Sequence, residues 1–233
     1  MSLQRISHRV LGLTLTVLLL VGCGGTQVEP TATPIPIPAT RTPTARAAAP
    51  PTPAPVSLAS TPLTKLNGKR ALFVIYNRFQ EDEYGIPRAI LEQLGVTVTV
   101  ASSTLDVRTG QEGAKVQPDL RFGDVYGGDY DAIVLVGGMQ YDIGNLETQR
   151  IAQEAVAEGN VVAAICIAPI TLARAGLVEG KRVTAATKWN ELEAAGATVL
   201  TGASVERDGL IITADGPGRS REFGETIAAA LGQ

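Results

Sequence analysis

From residue 65 onward, apolar and polar positions alternate between two textures. Ala71-Leu-Phe-Val-Ile-Tyr76 is continuously apolar and short, as expected of a strand buried on both faces of a parallel sheet. Pro87 to Leu94 sets Ile90, Leu91 and Leu94 on one helical face, and Gly95 ends it. Val96 to Ala101 alternates with period two and predicts the next strand. Ala132 to Val136 predicts a third, closed by Gly137-Gly138. A helix over Leu146 to Glu158 leads to a strand over Val161 to Ile165. Cys166 follows, and Pro169 opens a helix running to about Ala175. Val183 to Ala186 and Thr198 to Leu200 are weaker strand candidates. Glu206-Arg207-Asp208-Gly209 reads as a hairpin turn into Leu210 to Thr213. Phe223, Ile227 and Leu231 stripe a final helix. Strands alternating with helices predict an α/β fold: a three-layer sandwich around a mostly parallel sheet.

The N-terminal residues read differently. Arg5 and Arg9 precede an apolar run, Val10 to Gly22, whose length suits a signal peptide better than a membrane span. Leu20-Val-Gly-Cys23 resembles the lipobox of bacterial lipoproteins, which implies cleavage before Cys23 and a lipid on it. Ten of the 14 prolines then fall between Pro30 and Pro62, a composition that removes backbone donors and offers little to bury. The expected organisation is a leader over 1–22, a lipidated Pro/Thr-rich tether over 23–65, and one domain over 66–233. Its expected location is extracytoplasmic, on a bacterial membrane.

Composition narrows the chemistry. The formal net charge is −3, with no basic run, which argues against binding a phosphate backbone. The one histidine, His8, lies in the leader, and the two cysteines are Cys23 and Cys166. A disulfide would have to join the leader boundary to the domain core, and zinc sites of four Cys or mixed Cys and His are excluded by number. No metal or cofactor is expected.

Cys166 sits where a strand turns abruptly into a helix, at the carboxyl end of the sheet where open α/β folds bind ligands. The helix N-terminus should favour thiolate over thiol. Local spacing leaves two readings open, a reactive thiol or a small buried hydrophobe.

Ala163-Ala-Ile-Cys166-Ile-Ala-Pro169 with Leu172-Ala-Arg-Ala-Gly176-Leu-Val-Glu-Gly180-Lys-Arg-Val-Thr184 resembles the central motif of the DJ-1/PfpI (ThiJ/PfpI) family. Glu81 to Pro87, Tyr130 to Gly138 and Ile212 to Phe223 are similar to further family segments, in order, from about Lys69 to Leu231. The resemblance implies a flavodoxin-like, class I glutamine amidotransferase-like sandwich and a homodimer. It implies that Cys166 is the reactive thiol and Glu83 the carboxyl bonded to it. Backbone N–H groups of Gly138 and Ile167 would bind an oxyanion. Pro87 cannot donate to the carbonyl four residues back, which suits an inward turn of Glu83; the alternative is that Glu81, Asp82 and Glu83 only favour a helix N-terminus.

Two positions depart from the family. Ile167 stands where peptidase-like members carry histidine. The stretch Ala185-Ala-Thr-Lys188-Trp189 stands where others supply one. Gly137, Lys188 and Trp189 are candidate pocket residues. Without histidine, peptidase and glutaminase chemistry lack their base. Three functions stay open, in this order: a Cys/Glu thiol enzyme acting on reactive aldehydes, glyoxalase- or deglycase-like; a redox-responsive or protective thiol; and a module that binds a ligand or partner without turnover. The small-molecule partner would be an electrophile or an oxidant.

Overall fold

The computed structural model describes residues 64–202 and 205–233; the leader, Cys23 and the proposed tether up to residue 63 lie outside them. The elements are β1 (Arg70–Val74), α1 (Glu81–Gln93), β2 (Thr97–Ser102), β3 (Arg108–Thr109), β4 (Lys115–Val116), β5 (Leu120–Arg121), β6 (Ala132–Leu135), α2 (Leu146–Ala157), β7 (Val161–Ile165), α3 (Pro169–Arg174), β8 (Arg182–Val183), α4 (Trp189–Ala194), β9 (Thr198–Val199), β10 (Val205–Asp208), β11 (Ile211–Ala214) and α5 (Ser220–Leu231). Seven strands form one sheet in the order β10-β11-β7-β6-β1-β2-β5. All neighbours are parallel except the β10–β11 hairpin. Gly209 and Leu210 turn that hairpin, with Gly209 at φ 65°.

Alternation along each strand sends side chains to two cores. Ala71, Phe73 and Ile75 join Leu91, Phe223 and Ile227 beneath α1 and α5. Leu72, Val74 and Tyr76 join Ile151, Ala152, Ile170 and Leu192 beneath α2, α3 and α4. These are the two outer layers of the expected sandwich. Each fully buried Leu, Ile or Phe contributes roughly 2 kcal/mol of hydrophobic free energy. The strands β8 and β9 pair with each other outside the main sheet, as do β3 and β4.

One element differs from its sequence expectation in a way that matters for the site. The helix expected from Pro87 begins six residues earlier, at Glu81, and runs through Pro87 without a break. Its start is held by Gln80, whose side-chain oxygen accepts the Glu83 N–H at 2.8 Å. Pro87 withholds one helical donor from the Glu83 carbonyl. It packs instead on α5, where a Cβ on Gly224 would lie 2.8 Å from Pro87 Cα. Glycine at position 224 permits this close approach of α5 to α1 at Pro87.

Candidate active site

The strand β7 is wholly buried, and Cys166 is the first residue beyond it. Its N–H donates to the Ala214 carbonyl at 2.9 Å, and its own carbonyl accepts the Ala186 N–H at 2.9 Å. These bonds pin the residue between the end of β11 and the segment after β8. They hold it at φ 67°, a left-handed conformation that disfavours an L residue by about 1–2 kcal/mol. Pro169 then opens α3, so the chain makes the strand–turn–helix elbow expected from sequence.

Glu83 reaches this elbow from the first turn of α1 and is fully buried. Neither of its carboxyl oxygens meets a donor at full hydrogen-bond geometry among the described residues. The Cys166 thiol and the Gly137 N–H are the polar groups interacting with it. Gly137 is the hinge of this packing. A Cβ there would fall 2.5 Å from Glu83 Oε2 and 2.7 Å from Cys166 Cβ, so only glycine fits between the carboxyl and the thiol. Gly138 follows at φ 155°, where a Cβ would lie 2.5 Å from the Arg78 carbonyl oxygen. Two backbone bonds lock this turn to the loop after β1: Gln80 N–H to the Gly137 carbonyl, 3.1 Å, and Met139 N–H to the Arg78 carbonyl, 3.0 Å. The Gly138 N–H has no backbone acceptor among the described residues, and the Ile167 N–H is directed at the Cys166 sulfur.

The electrostatics follow from burial. Burial pushes the Glu83 carboxyl up to about 7, against the opposing pull of the nearby Cys166 thiol and Gly137 N–H; Asp82 adds to the rise. Burial also pushes the Cys166 thiol up to about 12, reinforced by the Glu83 charge and opposed by the Ile167 N–H; Asp215 contributes further. The expectation that a helix N-terminus would favour the thiolate is therefore corrected. A six-residue α3 is outweighed by desolvation and a facing carboxylate. The two groups titrate as a pair: one proton leaves near neutrality and the second only in strong base. Near pH 7 the species are a protonated pair and a pair holding one shared proton.

The remaining side-chain candidates make other bonds. The Lys188 ammonium pairs with Glu191 at 2.6 Å, and the Trp189 indole N–H donates to the Ala185 carbonyl at 2.8 Å. Neither makes a hydrogen bond or ion pair with Cys166 or Glu83. No group of three His, Cys, Asp or Glu side chains among the described residues is arranged to hold a metal ion. Sequence reasoning passed over Gln80, which grips Glu83 with its side chain and Gly137 with its backbone. Glutamine is not a favoured helix cap, so its only signal was its place before an acidic turn.

A thiol at a strand–helix elbow, facing a buried carboxyl across a glycine turn, defines a flavodoxin-like α/β protein with a Cys/Glu site. The chain belongs to the DJ-1/PfpI family, whose profile matches residues 69–230. It is 34% identical over 171 residues to an uncharacterised protein of Methanocaldococcus jannaschii, spanning 71% of this chain and 83% of that one. It is 35% identical over 117 residues to the deglycase PfpI of Pyrococcus furiosus, spanning 49% of this chain and 70% of the relative. The crystal structure of a ThiJ/PfpI domain protein from Brachyspira murdochii superposes with a TM-score of 0.68 at 27% identity, covering 71% of this chain and 98% of that one.

Proposed function

We propose that this chain is a lipid-tethered, extracytoplasmic DJ-1/PfpI domain, working as a homodimer, whose Cys166–Glu83 pair converts small 2-oxoaldehydes to 2-hydroxy acids. The observation that carries the reading is Glu83 itself: a fully buried carboxyl facing a thiol and raised to about 7. A carboxyl in that range both takes and gives a proton near neutral pH, the role a histidine would otherwise fill. The sequence after residue 8 contains no histidine. The deglycase name of the Pyrococcus furiosus relative supports the same direction.

The steps balance without a cofactor. The Cys166 sulfur bonds to the aldehyde carbon while its proton passes through Glu83 to the carbonyl oxygen, giving a hemithioacetal. The Glu83 carboxylate then takes the proton from that carbon and returns it to the neighbouring carbonyl carbon, while the hydroxyl proton on the first carbon's oxygen passes to the neighbouring oxygen. The product is a thioester of the 2-hydroxy acid. Water cleaves it, releasing the acid and restoring the thiol. The N–H groups of Gly138 and Ile167 serve the developing oxyanion.

The test is 2-hydroxy acid formation from methylglyoxal by the purified chain, its Cys166→Ser variant and its Glu83→Gln variant. Turnover that falls at least about a hundredfold in each variant supports the proposal. Turnover absent from the wild type, or retained in either variant, would overturn it.

A further inference from the structure

The loop that receives the glycine turn carries a cation, Arg78, that makes no ion pair among the described residues. Arg78 is one of three non-glycine residues at positive φ among the described residues, at 55°. Its N–H donates to the Thr109 carbonyl at 2.7 Å, and its carbonyl accepts the Met139 N–H at 3.0 Å. That carbonyl occupies the space a Cβ on Gly138 would need, so Arg78 and the glycine turn interlock. The guanidinium Nη2 lies 3.4 Å from Met139 Sδ, on a methionine that is 70% exposed. Arg78 forms no ion pair among the described residues, whereas Arg174, Arg182 and Lys188 are all paired with carboxylates. The charged groups acting on the thiol and its partner are acidic: Glu83, Asp82 and Asp215. Arg219 reaches Asp215 at 3.7 Å.

We infer that Arg78 is a specificity-determining residue: it recognises the carboxylate of small electrophiles that carry one beside the reactive carbon. The inference rests on Cys166 being the reacting atom. An anionic ligand entering an acidic site is repelled unless a cation compensates. Arg78 is a cation with no ion pair among the described residues, anchored to the glycine turn that packs against Cys166. Its backbone is fixed on both sides by the Thr109 and Met139 bonds, which anchors the base of the side chain beside the glycine turn. Guanidinium also matches carboxylate geometry with two parallel donors.

Alkylation separates this inference from the turnover proposal, because it reports on approach to the sulfur alone. Iodoacetate and iodoacetamide are near-isosteric, one anionic and one neutral. With either, the Cys166 sulfur–carbon bond forms, the carbon–iodine bond breaks, iodide leaves, and the thiol proton passes to the buffer. The readout is the ratio of the two second-order rate constants, followed on the Cys166 peptide of the full chain by mass. Arg78→Gly fits φ 55° without strain, which protects the fold. Arg78→Lys keeps the charge. The expected result is a ratio that falls about tenfold in Arg78→Gly, is largely kept in Arg78→Lys, and declines with salt in the wild type. Equal ratios in the wild type and Arg78→Gly would overturn it. A lowered ratio in a chain that does not turn over methylglyoxal leaves this inference standing and removes only the catalytic proposal.

Discussion

Replacing Glu83 by glutamine should stabilise the fold at neutral and alkaline pH, and the size of the gain follows from the burial of one carboxyl. Glu83 has an ordinary value of 4.5 and a folded value of about 7, so it holds its proton more tightly in the folded state. Below about pH 4.5 it is protonated whether the chain is folded or not, and its contribution is fully present. As pH rises towards 7 the unfolded chain ionises freely while the folded chain resists. Stability is lost across that interval, by up to about 3 kcal/mol, and the loss is complete above pH 7. The thiol, raised to about 12, is deprotonated in only a minor fraction across the window, so Glu83 dominates the pH dependence. Glutamine preserves the shape and removes the charge. Urea unfolding of both proteins from pH 4.5 to 8.5 gives the difference in free energy directly, with the other carboxylates cancelling. The expected difference is small at pH 4.5 and grows in favour of Glu83→Gln, by up to about 3 kcal/mol, by pH 8. A difference that stays flat with pH would refute the claim that Glu83 is held in an unfavourable environment for its charge.

Two further substitutions probe the packing around the pair. Gly137→Ala places a Cβ 2.5 Å from Glu83 Oε2 and 2.7 Å from Cys166 Cβ. It should destabilise the domain by about 1–3 kcal/mol in urea unfolding, and an unchanged midpoint would mean that the turn yields freely. Cys166 at φ 67° predicts that Cys166→Gly is more stable than Cys166→Ala by about 1 kcal/mol, although both lack the thiol. Thermal melts that rank alanine above glycine would show that the elbow carries no backbone strain.

The sheet and the elbow were legible in the sequence because both are local. Continuous apolar runs marked β1, β6 and β7, and a cysteine between β7 and Pro169 marked the turn. The start of α1 was not legible. Proline is favoured at the first helical position, and the cap by Gln80 that starts α1 six residues earlier leaves no strong local signal. The short β3–β4 excursion and β5 at the sheet edge lack periodicity, being two residues each. Glu83 was reached through a family resemblance, because its partner is 83 residues away in sequence and the two meet only in the folded sheet. The direction of the thiol's ionisation was misjudged for the same reason. A helix N-terminus is visible locally, whereas burial and a facing carboxylate are not. Arg78 gave no local signal, since its role depends on the glycine turn docking against it.

The most direct measurement is the rate of iodoacetamide alkylation of Cys166 from pH 5 to 11, in the wild type and in Glu83→Gln. A coupled pair predicts a step in the wild-type rate near pH 7, where the shared proton begins to populate the thiolate, and a second rise in strong base. Glu83→Gln should lose the step near 7 and show one inflection, at lower pH than the wild type's upper rise, because the facing negative charge is gone. Superimposable profiles would mean that Glu83 does not govern the thiol, and would contradict the Cys166–Glu83 site at its centre.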